Sequence, residues 1–103
     1  MPPITDCNSL EELRTHIDQV DRRIVALLAE RGSYVQQAAR FKQTSADVEA
    51  PRRVEQVIAK VTLLAGELGA DPSVTEQVYR AMIRAFIDAE RAEHAKLNHE
   101  HEK

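Results

Sequence analysis

The sequence predicts an all-α protein of three helices, the first of them long. Three observations carry this reading: an apolar seam at helical spacing through the first third of the chain, further apolar stripes downstream, and two breaks marked by proline, glycine and aspartate.

In the first helix Leu10, Leu13, Ile17, Val20, Ile24, Leu27, Arg31, Tyr34, Ala38 and Phe41 follow one another at alternating steps of three and four, the spacing of a face built to be buried. Ser9-Leu10-Glu11-Glu12 opens it as a capping box, in which Ser9 and Glu12 satisfy each other's backbone donors. After Lys42 the stretch from Gln43 to Ala50 lacks periodicity and reads as a loop, and Pro51 suits the first turn of a second helix. Val54, Val57, Ile58, Val61, Leu64, Ala65 and Leu68 supply the buried face of that helix, with Gly69 as a left-handed stop. Asp71 caps a third helix and Pro72 takes its first position. Along it Tyr79, Ile83, Phe86 and Glu90 recur at four, three and four residues, and Val78, Met82 and Ile87 broaden the stripe.

With 103 residues the chain is expected to form a single domain, 1–103, with an N-terminal arm over 1–8 and a polar tail over 95–103. A helix from Ser9 to Phe41 is roughly 50 Å long, whereas a compact monomer of about this size has a radius of gyration near 13 Å. The helix overhangs any monomeric globule, which implies a homodimer or another helical partner. A net charge of −3 with interspersed signs, and only two Tyr and two Phe for stacking, argue against nucleic acid. No stretch is apolar enough to span a membrane and the first ten residues are no signal peptide, so a cytoplasmic protein is expected. Cys7, the only cysteine, reads as an inert free thiol and His16 as a surface histidine off the seam. His94, His99 and His101 beside Glu100 and Glu102 read as a solvated tail, so no metal is expected.

Arg31 is the residue that breaks the pattern. A guanidinium stays charged at any ordinary pH, so a dry seam tolerates it only where a carboxylate or a bound anion meets it, or where its stem snorkels to water. Lys42 lies eleven residues on, offset by only about 20° on a continuous helix and roughly 16 Å along the axis, so both side chains can lean onto one small anion. Glu90 likewise falls where an apolar residue is expected. Either the third helix has emerged into solvent there, or Glu90 is the buried counterpart of Arg31 or Lys42, or a proton donor to what they hold. With Arg14 and Arg53 these make four cations and one acid, the inventory for a small dicarboxylate. Arg14 and Arg31 are about 25 Å apart on one helix, so if both touch one small ligand, one of them comes from a second subunit.

The chain resembles the all-helical chorismate mutase family, and within it the isochorismate-pyruvate lyase branch. The resemblance rests on Leu13-Arg14-x-x-Ile17-Asp18-x-x-Asp21-x-x-Ile24-Val25-x-Leu27-Leu28-x-x-Arg31, Tyr34-Val35, Phe41-Lys42, Ala50-Pro51-x-Arg53-Val54 and a third helix ending in Glu90. It implies an intertwined homodimer with shared sites, in which Arg14 reaches into the partner's site while Arg31, Lys42, Arg53 and Glu90 serve their own. It also implies a cofactor-free pericyclic reaction, chorismate to prephenate, with isochorismate cleavage to salicylate and pyruvate as the alternative; Lys42 and Glu90 are the implied catalytic pair. Mutases of the family commonly carry Glu at the position of Val54 and Asp at that of Ala50, which favours the lyase branch. The lyase branch usually has Gln at the position of Glu90, which favours the mutases. A non-enzymatic helical interaction module is the more distant alternative, with Arg31 and Lys42 as partner contacts.

Overall fold

The computed structural model describes residues 4–41 and 50–101, the side chains of 94 and 97–101 excepted. The expectations placed on residues 42–49, Lys42 among them, and on His94, His99, His101 and Glu100 as side chains, lie outside the described residues. The described residues form three α-helices: α1, Leu10–Ala38, followed by a 3-10 turn at Ala39–Phe41; α2, Pro51–Leu68; and α3, Pro72–His101. There is no strand among the described residues, and none of their helices is long and apolar enough to cross a membrane. The chain divides into two compact units, one ending at Tyr34 and one beginning at Val35.

In the first unit the start of α1 follows the sequence with one change. Ser9 Oγ accepts the Glu12 N–H at 3.1 Å, as a capping box requires, but Glu12 Oε2 reaches past Ser9 to accept the N–H of Asn8 at 3.1 Å. None of the residues of α1 is buried within the chain. Leu10, Leu13, Ile17, Val20, Ile24 and Leu27 keep between 41 and 61% of their surface exposed. The seam has helical spacing and remains uncovered in a single chain. The α-helix also stops at Ala38, three residues before the predicted end.

In the second unit α2 and α3 pack face to face. Ile58, Ile83 and Ile87 are buried, with Val54, Val57 and Tyr79 against them, and Val61 and Ala65 are buried on the same helix as Ile58. Leu64 and Leu68, predicted for this face, are exposed. Each lies three residues beyond a buried position, at the edge of the stripe. Arg80 ties the two helices from outside: Nη1 and Nη2 donate to Glu55 Oε1 and Oε2 at 3.0 and 3.2 Å, and Nε donates to Glu76 Oε2 at 3.0 Å. The hydrogen bonds from Arg80 and its charge hold the Glu55 carboxyl below its ordinary range. The tie is thus complete at neutral pH and is lost as pH falls through the lowered folded-state value; both groups are solvent-exposed, so the loss is small.

The breaks behave as the residue types demand. Asp71 Oδ1 accepts the N–H of Ser73 at 2.9 Å and of Val74 at 3.4 Å, which caps α3 behind Pro72. Gly69 ends α2 at φ 78°, and the Ala65 carbonyl accepts both its N–H and that of Ala70. A Cβ on Gly69 would meet no atom within 4 Å, so Gly69→Ala tests backbone conformation alone. It should destabilise the fold by about 1–2 kcal/mol, read as a lower midpoint in denaturant with an unchanged slope. Ala50, ahead of α2, holds φ 35° with no side-chain cap. Helix α3 continues through His101, so the described part of the polar stretch from 95 is helical. After Pro72 the sequence has no proline or glycine, and Ala92, Glu93, Ala95, Lys96 and Leu97 all favour helix.

Candidate active site

The candidate residues fall on both units. On α1, Arg14 is exposed and Arg31 half-buried. They are separated by about 25 Å along the axis at ~1.5 Å per residue, so one helix offers two cations too far apart to share a small molecule.

In the second unit Arg53 and Glu90 are brought toward one end of the antiparallel pair. The short connection after α2 returns the chain, so that Glu55 meets Arg80, and Val54 shares a groove with Ile83 and Ile87. Pro51 at the start of α2 lines the same groove. Glu90 follows Ile87 by three residues, on the stripe that Ile83 and Ile87 begin. It is 8% exposed, the only charged side chain in the buried class among the described residues. The reading in which α3 has already emerged into solvent at this point is therefore set aside. Arg53 is exposed in the first turn of α2. Over the groove, Arg80 and Arg84 are held by carboxylates of their own unit, Arg84 by Asp88 at 3.2 Å. Those ion pairs set them apart from Arg53 as candidates for an anionic ligand.

Such an arrangement can do a limited chemistry. Arginines orient carboxylates, a buried carboxylic acid donates one proton or hydrogen bond, and neither forms a covalent intermediate by itself. Orientation and charge stabilisation are what a unimolecular rearrangement or elimination needs.

One constellation was not legible residue by residue. Cys7, Glu12 and His16, each half-buried, bring a sulfur, a carboxylate oxygen and a ring nitrogen within 4.8 Å of one another. Cys7 and His16 look inert when taken singly. The available signal was the Glu12–His16 spacing of four on a helix whose cap begins two residues after Cys7.

Comparison with known proteins gives a consistent picture. Residues 13–91 match the family described as chorismate mutase type II, a span that crosses both units. An isochorismate pyruvate lyase of Pseudomonas aeruginosa is 35% identical over 82 residues, covering 80% of this chain and 81% of the relative. A chorismate mutase of Methanocaldococcus jannaschii is 28% identical over 75 residues, covering 72% of this chain and 76% of that protein.

Proposed function

The chain belongs to the chorismate mutase type II family, and we propose that it is a chorismate mutase, converting chorismate to prephenate by a pericyclic rearrangement. The observation that carries the reading is the buried Glu90 at the end of the α3 stripe, near the end of the family match. A non-enzymatic helical module has no need of a buried acid at that place. The active enzyme is a cytoplasmic homodimer acting on a small dicarboxylate without a cofactor, and the whole chain works as one catalytic domain.

The dimer is supported by the uncovered seam of α1. Burying the remaining surface of its six aliphatic residues is worth on the order of 5 kcal/mol per chain, and a second copy supplies a matching face. Arg14 then serves the partner's site, while Arg31, Lys42 and Arg53 serve their own. The arginines hold the two carboxylates so that the enolpyruvyl side chain folds over the ring, which converts a rare conformer into the bound one. As the ether bond breaks, charge gathers on its oxygen. Lys42 and a protonated Glu90 donate to that oxygen, more strongly in the transition state than before it.

Isochorismate-pyruvate lyase activity is the second reading, favoured by the Pseudomonas relative's name and by Val54 and Ala50 standing where mutases commonly carry acids. Incubating the purified protein separately with chorismate and with isochorismate, and identifying products by chromatography, tests both. Prephenate from chorismate is the expected result. Salicylate and pyruvate from isochorismate, with chorismate untouched, would reverse the order of the two readings, and conversion of neither would reject both.

The role of Glu90 predicts a pH dependence with a definite sign. A carboxyl donates only while protonated, so a role for Glu90 as donor makes turnover fall as pH rises. Glu90→Gln keeps a donor that does not titrate. It should flatten the profile of kcat against pH and hold activity on the alkaline side, whereas superimposable wild-type and variant profiles would remove Glu90 from the mechanism.

A further inference from the structure

We infer that Cys7, Glu12 and His16 form a binding site for a zinc-class divalent ion that pins the N-terminal arm to the first turns of α1. The three contribute sulfur, oxygen and nitrogen, with their ligand atoms within 4.8 Å of one another. A tetrahedral ion with bonds of about 2.0–2.3 Å holds its ligands roughly 3.5 Å apart, so from separations within 4.8 Å the cluster has to contract by up to about 1.3 Å. Rotamer changes of Glu12 and His16 supply that much.

Local structure explains why they converge. Glu12 and His16 lie four apart on one face, and helical side chains lean toward the N-terminus, which carries His16 back over the first turn. The arm is held against that turn by the Asn8 N–H on Glu12 Oε2 at 3.1 Å, which leaves Cys7 beside the same carboxylate. The Cys7 thiol donates weakly to the Thr5 carbonyl at 3.7 Å, a contact that coordination gives up at little loss.

Charge decides the class of ligand. A helix N-terminus carries partial positive charge and by itself repels cations. Coordination removes the thiol proton, so the site then presents a thiolate, a carboxylate and a neutral imidazole, two negative charges that match one divalent ion. Sulfur with imidazole selects zinc-like ions over magnesium or calcium, and three protein ligands leave the fourth position to water. Arg14, two residues past Glu12, is turned about 200° away on the helix, so the site does not draw on the residues proposed for catalysis.

The test uses untagged full-length protein under a non-chelating reductant, titrated with Co²⁺ and followed by sulfur-to-cobalt charge-transfer absorption, with Zn²⁺ competition by calorimetry. One equivalent per chain should produce the band and Zn²⁺ should displace it. Cys7→Ser should abolish the band, and His16→Ala or Glu12→Gln should weaken binding at least about tenfold. Circular dichroism of the variants should remain that of the wild type. A titration without the band overturns the inference, as does a band that survives Cys7→Ser. Binding that persists in Cys7→Ser and His16→Ala but is lost when His94, His99 and His101 are all replaced by Ala assigns the ion to the C-terminal histidines and overturns it too.

Discussion

Replacing Lys42 with Ala is expected to lower turnover by about 10²–10³, equivalent to roughly 3–4 kcal/mol of transition-state stabilisation, with a much smaller change in KM. The expectation follows from where charge moves. The carboxylates are anionic before and after the bond changes, so a cation that only holds them binds ground state and transition state alike. The ether oxygen gains charge only as its bond breaks, and a fixed ammonium at that atom acts mainly on the chemical step. Lys42→Arg would retain the charge but spread it over a planar fork, so most of the loss should persist. Separate determination of kcat and KM decides the role. A rise in KM with turnover intact would make Lys42 a carboxylate contact and leave the breaking bond to Glu90 alone.

How far the sequence could be read depends on the kind of signal. Two local signals survived intact: Asp71 caps α3 with its own carboxylate, and Gly69 adopts the left-handed conformation that ends α2, because both outcomes are decided within a few residues. Periodicity located the α2–α3 core at Ile58, Ile83 and Ile87 and singled out Glu90 as a charged residue on a buried stripe. Periodicity did not say how wide that stripe is, and Leu64 and Leu68 lie outside it. Nor did it say what covers the seam of α1: Leu13 and Ile24 have the spacing of core residues and are exposed within the chain. The exact end of α1 was finer than periodicity resolves, since Ala39–Phe41 continue the pattern as a 3-10 turn rather than as α-helix. Cys7 and His16 were unreadable because their proximity depends on an arm folding back along the helix, which no linear spacing encodes.

The exposed seam and the separation of Arg14 from Arg31 lead to the second large effect. Arg14→Ala and Arg31→Ala should each leave less than about a hundredth of wild-type activity, because an unpinned carboxylate lets the substrate relax from its reactive conformer. Dimers formed by co-folding the two variants should recover activity. If each site takes Arg14 from one chain and Arg31 from the other, a hybrid dimer contains one site with both arginines and one with neither. Random pairing of equal amounts makes about half the dimers hybrid, so about a quarter of all sites are intact. Activity near a quarter of wild type is far above the sum of the two variants and cannot arise from sites built within one chain, where every site lacks one arginine. Purified hybrids, isolated with distinct tags, should reach about half of wild type. Hybrids no more active than their parents would confine each site to a single chain, and Arg14 would then have to act on a different ligand from Arg31, since one helix holds the two roughly 25 Å apart.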